Sequence, residues 1–176
     1  MYGFGDASVT GFGSTIRRAN GEIVWKSGVW SRTMVEEHNS NFFELSNLVH
    51  ALEDMHAGGE LEGQEIFMFT DNTTAEAAHF HGTTKNGKML FNLALRLRKI
   101  EMDGNCRIYI IHVAGKRMIW QGSDGLSWGD ENAGVMSGEE MMTFVPLHCQ
   151  AVDRSDELLP WIWSWCGDKR GERKVT

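Results

Sequence analysis

Apolar and polar positions alternate along YGFGDASVTGFGSTI, residues 2 to 16, a stretch rich in Gly, Val, Ile, Thr and Phe. RRANGE follows with the hairpin dipeptide Asn20-Gly21, and EIVWKSGVW resumes the extended pattern. Three strands in an antiparallel meander are predicted. The period then changes. After the polar connection SRTMVEEHNS, Leu45, Leu48, Val49, Leu52 and Met55 recur at i, i+3, i+4, i+7 and i+10. That is the stripe of a helix beginning near Asn41 and ending at the glycines of AGGELEGQE. EIFMFT is a short apolar run of buried-strand type, and DNTTAEAAHF reads as the start of a helix after it. KNGKMLFNLALRLRKIEMDG carries a second clear stripe at Leu90, Leu93, Leu97 and Ile100, and CRIYIIHV is another strand. The order β-β-β-α-β-α-α-β predicts an α/β protein: a mixed sheet with helices packed on it.

Past residue 130 the pattern weakens. ENAGVMSGEEMMTF is loosely helical, and Trp161, Trp163 and Trp165 alternate as in an edge strand or an anchor onto the core. Two regions result: residues 1–130 as an α/β domain, and 131–176 as an extension packing on it or on a partner, with the basic tail DKRGERKVT.

Composition narrows the class. The 176 residues suit one domain with an appendage, and 41% apolar with 23% charged residues is ordinary for a globular chain. The net charge of -7 weighs against non-specific nucleic-acid binding, yet allows an acidic site offset by metal ions. Cys106, Cys149 and Cys166 are widely spaced, with no CxxC, which argues against zinc and for a reducing, intracellular setting, cytoplasmic or nuclear. No apolar run has membrane-spanning length and no signal peptide is visible.

Four acids then stand out. Asp6 lies within the first strand, Glu44 in the first turn of the first long helix, Asp71 at the end of EIFMFT, and Asp124 in QGSDGLSWGD, at a helix start. Each has a plain reading. Asn41 and Glu44 can form a capping box, and Asp71 or Asp124 can cap the helix that follows. Asp6 is harder to place so, because Asp is depleted in strand interiors. Gathered at strand ends, the four would repel one another unless hard cations such as Mg²⁺ or Mn²⁺ sat among them. Two such ions about 4 Å apart serve phosphodiester hydrolysis. His79 and His81 have no third ligand nearby, GFGSTI and GSDGLSWG lack a P-loop pattern, and the Trp-rich segment is read as packing.

GDASVTGFGSTI, NSNFFELSNLVHALE, FTDNTTA and HVAGKRMIWQGSDGLSWG, in this order, resemble the ribonuclease H domain in its reverse-transcriptase-associated form. The resemblance implies a five-stranded mixed sheet, its first three strands antiparallel, flanked by helices. It implies hydrolysis of the RNA strand of an RNA–DNA hybrid with two Mg²⁺ or Mn²⁺ ions, and a reverse transcriptase domain in the same polyprotein as a partner. By motif, Asp6, Glu44, Asp71 and Asp124 become the catalytic, metal-holding acids, and Ser40 and Asn41 become substrate-binding residues at the hybrid's minor groove. Lys116 and Arg117, with Arg17 and Arg18, are phosphate-contact candidates. RLRK, residues 96–99, could replace the family's basic handle, but reads more plainly as a solvated helix face. One departure is clear: the loop AGKRMIWQGS lacks the catalytic histidine that many members carry there, and His112 lies earlier. A DNA-acting nuclease of the same fold and a non-catalytic scaffold remain as alternatives.

Overall fold

The structure, a computed structural model, describes residues 1–81, 88–132 and 134. Strands β1 (Tyr2–Ala7), β2 (Gly11–Arg17) and β3 (Ile23–Val29) form the expected meander. A short helix α1 (Arg32–Glu37) leads to the long helix α2 (Ser40–Ala57), then β4 (Glu65–Thr70), α3 (Thr73–His81), α4 (Lys88–Asp103) and β5 (Arg107–His112). Helices α5 (Gly115–Gln121) and α6 (Ser123–Ser127) follow.

The five strands lie in the order β3-β2-β1-β4-β5. β1 pairs antiparallel with β2 and parallel with β4, so the crossover through α2 returns the chain beside its first strand. β4 and β5 are parallel, joined through α3 and α4. This mixed sheet matches the expectation, and the ends of β1 and β4 fall side by side.

The two faces of the sheet are covered differently. The predicted stripes of α2 and α4 are buried: Leu45, Leu48, Leu52 and Leu97 are fully enclosed and pack on Ile16, Ile66, Met68, Ile108 and Ile110. Side chains alternate along a strand. Gly5 faces Leu48, so Phe4 and Asp6 point to the other face, where Phe4 stacks on Phe69 at 4.8 Å between ring centroids. There Gly13 meets α6: a Cβ at position 13 would lie 2.3 Å from Leu126 Cβ and 2.7 Å from the Ser127 nitrogen, so only glycine lets the helix seat this closely.

Several expectations change. The polar connection 31–40 contains α1, capped by Ser31, whose hydroxyl accepts from the Met34 N–H; with no buried residue, it has no apolar stripe to reveal it. The long helix starts at Ser40 with Asn39 as its N-cap, accepting from Phe42 N–H at 3.1 Å. Asn41 is therefore not the cap, and Glu44 stands two residues beyond the position a capping box needs. Asn72, not Asp71, caps α3 by accepting from the Thr74 and Ala75 N–H groups. The loop AGKRMIWQGS is largely helix α5, which places Lys116 and Arg117 on a helix. His79 and His81 share α3, one buried and one exposed. The extension over 135–176, with Trp161, Trp163, Trp165 and the basic tail, lies outside the described residues.

Candidate metal centre

Phe42 and Phe43 beside Glu44 have a local purpose. Phe43 packs on Trp30 at 5.1 Å between centroids, and Trp30 packs on Phe12 at 4.6 Å. The Trp30 indole N–H donates to the carbonyls of Ser8 and Gly11, 3.0 and 3.1 Å away. This aromatic cluster fixes the first turn of α2 against the β1–β2 connection. Glu44, one residue further on, is thereby held over the end of β1.

Asp6 reaches the same place from β1. The Asn47 amide on α2 donates to the carbonyls of Asp6 and Gly13, at 3.0 and 2.9 Å, and locks the strand ends under the helix. Asp71 follows β4 directly. Its carboxylate lies against the start of α5, where a Cβ on Gly115 would stand 2.9 Å from Asp71 Oδ2. A ligand oxygen from each of Asp6, Glu44 and Asp71 lies within 4.8 Å of the other two. Asp6 and Glu44 are buried, at 8% and 6% exposure, and Asp71 is exposed. Asp124, in the first turn of α6, stands outside this triad but close enough for its charge to act on Asp6 and Asp71.

The electrostatics follow from burial of like charges. Burial first, then the charges of Asp71 and Asp124, pushes the Asp6 carboxyl up to about 6, opposed by the Ser127 hydroxyl and the Ala7 amide. Burial and then Asp6 and Asp71 push Glu44 up to about 9. Asp71, although exposed, is raised as well, chiefly because its carboxyl is partly desolvated against its neighbours and also by the charge of Asp124, with its own backbone amide and His112 opposing. Glu44 Oε2 is buried without a hydrogen-bond partner. An all-oxygen donor set, mutual repulsion and an orphaned buried oxygen are what a hard divalent cation would relieve. The residues fit such an ion.

Neither a protein-family model nor a curated protein matches the sequence. Solved structures do match. Ribonuclease H1 from the halophilic archaeon Halobacterium salinarum NRC-1 superposes with a TM-score of 0.58 at 20% identity, over 73% of this chain and 95% of that one. The chain has the ribonuclease H fold. LC11-RNase H1, solved in complex with an RNA/DNA hybrid, gives 0.56 at 19% identity, over 71% of this chain and 90% of its own. The N-terminal RNase H domain of rv2228c from Mycobacterium tuberculosis gives 0.53 at 15%, over 72% and 95%.

On this ribonuclease H fold the other candidates separate. Ser40 is exposed at the start of α2, and Asn41 Oδ1 accepts from Asn72 Nδ2 at 3.0 Å, tying α2 to α3 beside Asp71. Lys116 is exposed on α5. Arg18 is engaged by Glu60 and Glu22, and the cations of RLRK are paired: Arg96 with Glu53, Arg98 with Glu101, Lys99 with Asp103. The solvated-face reading of that segment holds. Ser127 and Asn47 were not predicted. Asn47 alone left a signal, an amide between Leu45 and Leu48 on an apolar stripe.

Proposed function

We propose that this chain hydrolyses the RNA strand of RNA–DNA hybrids in a divalent-metal-dependent reaction, with Asp6, Glu44, Asp71 and Asp124 as its acids. The observation that carries the reading is the convergence of three carboxylates, two of them buried, at the neighbouring ends of β1 and β4 on a ribonuclease H fold. Buried like charges are costly to keep without a function. Two Mg²⁺ or Mn²⁺ ions, when bound, supply an activated water and stabilise the leaving 3′ oxygen. Asp6 and Glu44 would hold such ions from the buried side, and Asp71, with Asp124 nearby, from the exposed side. Ser40 and Asn41, on the turn before Glu44, would contact 2′-hydroxyls in the hybrid's minor groove. Lys116 and Arg117, on α5 between β5 and Asp124, would contact its phosphates.

The complex of LC11-RNase H1 with an RNA/DNA hybrid, on the same fold, supports a hybrid as the substrate. The further placement, beside a reverse transcriptase domain in a retroelement polyprotein, rests on the four matching segments of the sequence. Labelled hybrid, duplex DNA and duplex RNA are incubated with the protein in Mg²⁺ or in EDTA. Metal-dependent cutting of the RNA strand of the hybrid alone is expected. Cutting of duplex DNA would move the chain to the DNA-acting nucleases, and binding without cutting would make it a scaffold.

A further inference from the structure

The first and last acids of the site are joined by a side chain that no metal-ligand role requires. Ser127, in the last turn of α6, is 2% exposed. Its Oγ lies 3.1 Å from Asp6 Oδ2 and 2.8 Å from the Asp124 carbonyl oxygen. A serine turned back on its own helix would need only the carbonyl three residues earlier. Here a second acceptor comes from another element, 121 residues away in sequence. The hydroxyl has one proton, and an ionised carboxylate is the stronger acceptor.

The serine itself is fixed from several sides. Gly13 leaves room for α6 to lie on β2, and Ser8 Oγ donates to the Ser127 carbonyl at 3.2 Å. The Asp6 carboxylate, by contrast, faces the repulsion of Asp71 and Asp124 and lies against Glu44. Left alone, it would turn away from them.

Resting on the divalent-cation reading above, we propose that Ser127 is a positioning residue: its hydroxyl holds Asp6 Oδ2 and thereby presents the other Asp6 oxygen to the cation. It also couples that orientation to the helix that carries Asp124. Groups of this kind, one step removed from the ion, are worth about 10- to 100-fold in metal affinity.

The test is calorimetric titration of Mn²⁺ into the full chain, without nucleic acid, for the parent, Ser127→Ala and Ser127→Thr. Thermal unfolding in EDTA serves as the folding control. Ser127→Ala is expected to weaken Mn²⁺ binding by about 10- to 100-fold while unfolding in EDTA like the parent. Ser127→Thr, which keeps the hydroxyl, is expected to restore affinity to within about threefold. Parent-like affinity in Ser127→Ala overturns this inference and leaves the metal reading standing. So does a Ser127→Ala chain that fails to fold in EDTA, because the hydroxyl would then be a structural strut, and so does a folded Ser127→Thr chain that binds as weakly as Ser127→Ala. A parent that binds no Mn²⁺ overturns the metal reading, and this inference with it.

Discussion

Asn47 donates to the backbone carbonyl of Asp6 at 3.0 Å, and it stands three residues after Glu44 on the same helix. One face of α2 thus delivers one acid and pins the strand that carries another. Asn47→Ala removes the donor from the buried carbonyls of Asp6 and Gly13. The expected cost is about 2–3 kcal/mol in urea denaturation, with cleavage reduced as the end of β1 loosens. A change below about 0.5 kcal/mol would mean that water replaces the amide without loss.

The raised acids make stability depend on pH in a definite sense. Glu44 is held at about 9 and Asp6 at about 6, against ordinary values of 4.5 and 3.8. The folded chain keeps protons that the unfolded chain has released. The stability these groups contribute is complete below their ordinary values, and is lost as pH rises through about 6 and then about 9. Glu44→Gln removes the larger part. In EDTA near pH 8 it should be more stable than the parent by on the order of 1–3 kcal/mol, a gain that shrinks near pH 5, while cleavage is abolished. His50 and His79, lowered chiefly by burial, titrate with the opposite sign, but in both proteins, so the difference isolates Glu44. Mn²⁺ should stabilise the parent more at pH 8 than at pH 5, because the cation competes with protons. Thermal unfolding at the two pH values measures both effects.

Gly13 decides how closely α6 approaches the sheet. Gly13→Ala puts a Cβ 2.5 Å from the Ser123 carbonyl oxygen as well as against Leu126. The expected loss is about 3 kcal/mol in chemical denaturation, with weaker Mn²⁺ binding as Asp124 and Ser127 shift. An unchanged midpoint would show that α6 yields freely.

The cations divide into engaged and available. Arg96 makes two contacts with Glu53, at 2.8 and 2.5 Å, whereas Lys116 stands exposed on α5. Lys116→Ala should raise KM for the hybrid several-fold and lower the slope of log KM against log salt by about 1. Arg96→Ala should leave both unchanged and cost about 0.5–1 kcal/mol of stability. Steady-state kinetics over a salt series separate the two.

What the sequence disclosed follows from the length and depth of each element. β1, β2 and the long helices carry a clear period because one side of each is buried, β4 shows as a continuous apolar run because nearly all of it is buried, and β3, with no buried residue, was legible through its Asn20-Gly21 turn and extended pattern. Helices α1 and α5, of 6 and 7 residues, are too short to establish one. An acid among phenylalanines was legible as an anomaly, but not which nearby asparagine caps its helix: Asn39 and Asn41 differ only in backbone placement. The acids were legible because strand ends and a resemblance locate them. Ser127 was not, and Asn47 only as an amide on an apolar stripe, since their partners lie 121 and 41 residues away. The solvated face of RLRK was legible, with Arg98 and Lys99 paired locally to Glu101 and Asp103; only the partner of Arg96, Glu53, lies out of local reach, 43 residues away.

The central claim is that Asp6, Glu44 and Asp71, with Asp124 beside them, form one divalent-cation site. A crystal of the protein soaked in Mn²⁺ and measured at the manganese absorption edge tests it most directly. The account predicts an anomalous peak at about 2.1 Å from carboxylate oxygens of Asp6 and Asp71, with Glu44 bound directly or through water. No peak there under saturating Mn²⁺, or a peak only on surface acids such as Asp54, would contradict it.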